Sequence, residues 1–178
     1  SVVGVMRPRA EVIGTFSKSN HVGILGTNGT IQSDSYPVEI NKFFPQVHVH
    51  QHACPMWVPL IENNEYNSPG ADYFVQKDIK GLMSLSSKID TVLLACTHYP
   101  LLLKKIEQFI PPQVRVLSQG EIVAESLKEY LDRHSDIASL VSQNSKIDFF
   151  TTDSTGDFDS HTANFFGKPV KSRHLDLS

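Results

Sequence analysis

Cysteine is scarce in this chain, with only Cys54 and Cys96 present. That count excludes the multi-bridge framework of small secreted domains, and free thiols in a reducing compartment are expected rather than one Cys54–Cys96 bridge. Long apolar runs are missing too. None approaches the roughly 20 residues that a membrane-spanning helix needs. There is no Lys/Arg run, and a net charge of −3 with eight histidines gives no electrostatic case for nucleic acid. Internal repeats and low-complexity tracts are absent. What remains is an ordinary globular composition, 40% hydrophobic and 20% charged over 178 residues. That suffices for a real core in one domain or two small ones.

Strand and helix patterns alternate along the chain. Apolar strands are predicted at Val22–Gly26, Val47–Ala53, Val92–Ala95, Val114–Leu117, Ile147–Thr151 and Val170–His174. Helices are predicted from Thr30 towards Phe44 (with Pro37 able to interrupt it), over Pro69–Ser84, Pro100–Ile110 and Glu121–Arg133, and near Phe158–Phe166. Pro55 to Glu62 reads as a short helix or turn, and His134–Lys146 as a long loop or partial helix. This alternation predicts an α/β fold with a parallel sheet covered by helices on both faces. Ser1-Val-Val-Gly-Val5 looks like the middle or end of a buried strand, which leads us to expect further residues before Ser1.

The most informative stretch is Thr91-Val-Leu-Leu-Ala-Cys-Thr-His-Tyr-Pro-Leu-Leu-Leu103. A buried strand ends and delivers Cys96, Thr97 and His98 into the space at its carboxyl end, with a helix beginning at Pro100. In an open parallel sheet ligands bind there, and the helix start favours an anion, either a substrate carboxylate or the Cys96 thiolate. A thiol is suited to moving a proton on and off a carbon, because its ordinary pKa near 8.5 lies close to working pH. Taken alone, Cys96 fits equally well as a small buried hydrophobe ending a strand. His98 can polarise that thiol or contact substrate, or simply bond to backbone. Thr97 can bind a carboxylate or cap the helix. The turn Gly26-Thr-Asn-Gly-Thr30 is a second candidate anion site, with Thr27 and Thr30 offering hydroxyls, although such turns also serve as plain caps.

Leu94-Ala-Cys-Thr-His-Tyr-Pro100 resembles the signature around the second catalytic cysteine of bacterial glutamate racemases, within the aspartate/glutamate racemase family. Gly23-Ile-Leu-Gly-Thr-Asn-Gly-Thr-Ile31 and Ala53-Cys-Pro-Met-Trp-Val-Pro-Leu-Ile-Glu62 agree in order and rough spacing, with softer similarity at Val116-Leu-Ser-Gln-Gly120 and Phe149-Phe-Thr-Thr152. The resemblance implies a flavodoxin-like three-layer lobe at about residues 7–113. Residues 1–6 and 114–178 would form the C-terminal part of a second similar lobe. It implies cofactor-independent racemisation of L-glutamate to D-glutamate for peptidoglycan synthesis in the cytoplasm, by proton transfer between two thiols. Cys96, His98 and Glu62 would be catalytic, and Thr97, His98, Thr27 and Thr30 would bind substrate. Cys54 would be structural. The family's Asp-Ser-Gly and Cys-Asn-Thr motifs, which supply the other thiol, do not occur in these residues. The chain is therefore expected to hold half an active site and to be inactive alone. Its expected partners are glutamate, the missing N-terminal segment of the same protein and a second copy in a homodimer, with no nucleic acid, membrane or metal. Aspartate or another acidic amino acid remains a competing substrate.

Rival readings come from other classes. His48, His50, His52 and Cys54 alternate along one strand and would share a face, which suits a transition-metal pair, though the four span about 20 Å. A Cys96/His98 pair also suits nucleophilic acyl transfer. A non-enzymatic α/β binding module is the third option.

Overall fold

Four short runs become the four strands of one all-parallel sheet: β1 His21–Gly26, β2 His48–Ala53, β3 Thr91–Leu94 and β4 Arg115–Leu117, in the order β2-β1-β3-β4. The computed structural model describes residues 6–142 and 144–177. The strand read at Ser1–Val5 lies outside the described residues. The chain divides into two compact units, Ser1–Tyr130 and Leu131–Ser178.

In the first unit β1 and β3 run side by side, with Val22 opposite Thr91 and Leu25 opposite Leu94. Both are buried on both faces, as central parallel strands are, so alternate residues serve different cores. Leu25, Val92 and Leu94 join Trp57, Ile61, Val75, Ile79, Leu82 and Ile106 on one face. These come from α5 (Trp57–Glu62), α6 (Pro69–Ser84) and α7 (Leu103–Phe109). Val22, Ile24 and Leu93 pack on the other face against Ala10, Ile13, Tyr36 and Ile40. Those belong to α1 (Arg7–Ala10), α2 (Ile13–Phe16) and α4 (Ser35–Phe43). The result is the expected three-layer α/β arrangement. Each fully buried Leu, Ile or Val contributes roughly 1.5–3 kcal/mol. Close approach of α6 requires Gly23, where a Cβ would stand 2.7 Å from Leu82 Cδ2.

Helix ends follow local chemistry. Ser68 caps α6 by accepting from Ala71 N at 3.2 Å, and Pro69 takes the first turn, where a missing N–H costs nothing. The helix expected from Thr30 to Phe44 is two helices, α3 (Asn28–Gln32) and α4, parted at Asp34, whose φ of 51° is left-handed. Pro37 thus falls in the first turn of α4, where it has no hydrogen bond to break. The helix expected from Pro100 starts instead as a 3-10 turn, Tyr99–Leu102, before α7. β4 pairs with β3 through Thr91, Val92 and Leu93. The sheet therefore continues past residue 113, where the sequence reading ends the first lobe. Helix α8 follows at Gln119–Arg133.

The second unit holds α9 (Ser135–Ala138), the parallel pair β5 (Phe149–Thr151) and β6 (Ser172–His174), and α10 (Thr155–Phe166). Ser154 caps α10, and Gly167 ends it with a φ of 75°, a conformation that favours glycine. Phe149 and Phe166 meet edge to face with ring centroids 5.3 Å apart.

Candidate active site

The strand order places a topological switch between β1 and β3, because the chain leaves β1 towards β2 on one side and reaches β3 on the other. Ligand sites in open α/β sheets open at the carboxyl ends of such a pair. There the chain supplies Thr27 and Thr30 after β1, and Ala95, Cys96 and Thr97 after β3. These five residues line a cleft of about 300 Å³. Thr27 caps α3, accepting from Thr30 N at 3.3 Å, and the two hydroxyls lie 3.0 Å apart. Thr97 lines the cleft but does not cap the following turn, whose N-cap position is His98.

Behind the thiol stands a short relay. Cys96 Sγ lies 3.8 Å from His98 Nδ1, and His98 Nε2 lies 3.2 Å from Glu62 Oε1. A carboxylate only accepts, so Glu62 places the imidazole proton on Nε2 and leaves the Nδ1 lone pair facing the Cys96 S–H. Neither His98 nor Glu62 is among the residues lining the cleft. Burial pushes the Cys96 thiol above its usual pKa, and the Glu62 charge adds to that push. The backbone N–H groups of His98 and Tyr99 pull the other way. The helix start therefore does offer donors to a thiolate, as the sequence led us to expect, but desolvation outweighs them and the resting group is the thiol.

Cys54 is buried in the core beneath this turn, its thiol pushed far up first by burial and then by the Asp78 charge. Tyr99 Oη donates to the Cys54 carbonyl at 3.3 Å, and the Trp57 and Tyr99 rings sit 4.7 Å apart. Both cysteines are free.

Four further lining residues were not singled out from sequence: Met6, Arg9, Tyr36 and Gln119. Gln119 Nε2 donates to the Leu94 carbonyl at 3.0 Å, which fixes the amide and turns Oε1 away from the strand. Only the resemblance at Ser118-Gln-Gly120 touched this residue. Met6 and Arg9 sit on or beside a four-residue helix too short to show a periodic signal.

The alternating histidines of β2 share one face but find different partners. His52 Nε2 meets Asp78 Oδ1 on α6 at 3.2 Å. His50 Nε2 meets His21 Nδ1 on β1 at 3.0 Å, and His48 stacks on His21 with ring centroids 4.7 Å apart. Among the described residues, no group of three His, Cys, Asp or Glu side chains is placed to hold a metal ion. No helix of the described residues is long and apolar enough to cross a membrane.

No family model matches the chain. Curated relatives do. The chain is 36% identical over 177 residues to glutamate racemase of Listeria monocytogenes, covering 99% of the chain and 65% of the relative. It is 32% identical over 176 residues to glutamate racemase of Streptococcus gordonii, covering 99% and 66%. The crystal structure of a glutamate racemase from Bacillus anthracis superposes with a TM-score of 0.87 at 30% identity, covering 99% of this chain and 65% of that one. The chain thus spans about 65% of the length of the curated relatives it matches.

Proposed function

We propose that this chain, homologous along 99% of its length to glutamate racemases, carries one of the two acid–base thiols of such an enzyme. Cys96 is that thiol. The observation that carries the reading is the Cys96–His98–Glu62 relay, set at the switch-point cleft with 3.8 Å and 3.2 Å between its members. His98 draws the proton from Cys96 Sγ, and Glu62 holds the imidazole in the tautomer that can do so. The thiolate then takes the α-proton of glutamate. The C–H electron pair moves onto the substrate carboxylate, which becomes an enediolate, and a second thiol on the opposite face returns a proton to carbon. Hydroxyls of Thr27, Thr30 and Thr97 hold the carboxylate where its charge grows. His98 acts in this scheme through the thiol, and its contact with substrate follows only if the cleft closes over it.

The second thiol belongs, in this proposal, to a preceding segment of the same protein, and the chain alone is inactive. The parent has two similar lobes, one built on the four-stranded sheet described above, and works without a cofactor in the cytoplasm, where it supplies D-glutamate for peptidoglycan and forms a homodimer.

The same Cys–His–Glu order also suits acyl transfer, with Cys96 as nucleophile. Proton exchange separates the two. Incubation of the full-length protein with L-glutamate in D2O should place deuterium at the α-carbon, detected by NMR, as only racemisation requires. Acylation of Cys96 by a glutamyl ester without α-deuteration would favour the rival.

A further inference from the structure

We propose that Tyr99 is a positioning residue for the Cys96 thiol, its buried phenol locking the turn that carries Cys96 and His98 to the segment that carries Glu62. The relay is assembled from two parts of the chain. Cys96 and His98 follow β3, whereas Glu62 is the last residue of α5, which follows β2. The Glu62–His98 contact is a poor spacer between them, because the Glu62 side chain is 55% exposed and ion pairs so open to water are weak. A separate tie has to set the distance. The role is defined by the acid–base reading of Cys96 and rests on it.

Tyr99 supplies that tie. It is fully buried, and its Oη donates to the Cys54 carbonyl at 3.3 Å. The same carbonyl accepts from the backbone N–H of Trp57, the first residue of α5, also at 3.3 Å. One oxygen thereby joins the start of the Glu62 helix to the phenol. At its other end Tyr99 N donates to the Cys96 carbonyl at 3.3 Å and closes the turn that presents the thiol. The Trp57 and Tyr99 rings, both 0% exposed, meet at 4.7 Å with 58° between their planes and brace the joint. Packing needs only the ring at this position, and a hydroxyl is costly to bury unless it is bonded. The phenol oxygen is committed to one contact, and that contact spans the two halves of the relay. The backbone N–H groups of His98 and Tyr99 that face the sulfur belong to the same turn, so the same lock places them. Titratable groups around the thiol include Glu62 of α5, His98 and Tyr99 on the turn, Tyr36 of α4, Arg9 of α1 and Cys54 after β2.

The test is a double-mutant cycle on the pH profile of Cys96 alkylation by iodoacetamide in the full-length protein. Rates are read by peptide mass spectrometry, with buried Cys54 as the internal check on the fold. Glu62→Gln should move the profile to lower pH in the wild-type background, and in Tyr99→Phe that move should shrink to less than about half. Racemisation gives a second reading. In Tyr99→Phe, kcat for L-glutamate should fall on the order of tenfold with KM within about twofold, because a displaced reacting group costs rate more than binding. A tyrosine that serves packing alone would lower the thermal midpoint and leave the Glu62→Gln move at full size, which would overturn the proposal. So would the absence of any move in the wild-type background, since no relay would then need positioning. Should Cys54 become reactive in Tyr99→Phe, the cycle is repeated in Trp57→Phe, which keeps the phenol and loosens its brace. The Glu62→Gln move must shrink there too, and a move of full size would overturn the proposal. A folded wild-type protein that never exchanges the α-proton would sink the racemase reading, while the alkylation cycle would still decide what places the turn.

Discussion

Gly81→Ala sets two effects of opposite sign against each other. Gly81 lies inside α6, where helix propensity alone has alanine stabilising by roughly 0.8–1 kcal/mol. The structure opposes this. A Cβ at Gly81 would stand 2.4 Å from His52 Cε1 and 3.0 Å from both ring nitrogens, so the imidazole must leave its place. Its departure breaks the 3.2 Å contact with Asp78, a residue only 5% exposed. Burial already pushes the Asp78 carboxyl up, and His52 is the main influence holding it down. Leaving that carboxylate without its partner costs roughly 1–3 kcal/mol, and an off-rotamer imidazole about another 0.5–1.5. The balance is a net loss of about 2 kcal/mol, within a span of roughly 0.5–3.5. Urea unfolding followed by fluorescence of Trp57, the sole tryptophan, measures it. In a His52→Ala background the same substitution should be neutral or stabilising, because the clash and the pair are both gone. A Gly81→Ala protein as stable as wild type or more so would refute the reasoning, and with it the seating of α6 on β2.

Other consequences follow from the charged groups. Glu62→Gln removes a charge that pushes the Cys96 thiol up, so the pH profile of Cys96 alkylation should move to lower pH. A move to higher pH would deny the Glu62–His98–Cys96 arrangement. Burial pushes the Asp90 carboxyl up, but bonds from Ser17 Oγ and the backbone N–H groups of Ser19 and Lys18 outweigh it and hold the group at about 2. A lowered carboxyl stabilises the fold above its unfolded pKa near 3.9, and that gain is lost as pH falls towards 2. Asp90→Asn should cost about 1 kcal/mol at neutral pH, after discounting for solvent screening, and flatten the stability profile between about pH 4 and 2. A profile as steep as wild type would contradict this. His50 is lowered by burial and then by the neighbouring His21 and His48 charges, and His21 is lowered in the same direction. Protonation therefore favours the unfolded chain, and stability should fall as pH drops below about 6.5. His50→Gln should lessen that fall in thermal melts taken from pH 7.5 to 5, and an identical slope would count against the histidine contact.

Much of the fold could be read where one physical cause dominates. The apolar run before Cys96 has to be a buried strand, and Ser68-Pro69 has to open a helix, so β3 and α6 emerge where expected. Where causes compete, the sequence is less legible. α1 and α2 are four residues each and hold their place by burying Ala10 and Ile13 rather than by any periodic pattern. Arg9 went unnoticed for that reason. The break at Asp34 depends on a left-handed residue that no local pattern announced. The site residues Cys96, Thr97, Thr27 and Thr30 line one cleft, because strand ends at a switch point converge whatever their separation in sequence. His98 departs from that lining because the turn after Cys96 aims its ring towards Glu62. His48, His50 and His52 keep the shared face expected of them but find different partners there, Asp78 of α6 for His52 and His21 of β1 for His48 and His50.

The central claim is that Cys96 exchanges the α-proton, and the most direct measurement is the racemisation rate of Cys96→Ala in the full-length protein. L-glutamate is supplied and D-glutamate quantified by chiral chromatography, with circular dichroism and the thermal midpoint confirming the fold. The account predicts loss of turnover by at least about a thousandfold, within the range that removal of a positioned proton-transfer group brings, while the fold and midpoint stay close to wild type. Turnover within a few-fold of wild type in the folded variant would contradict it.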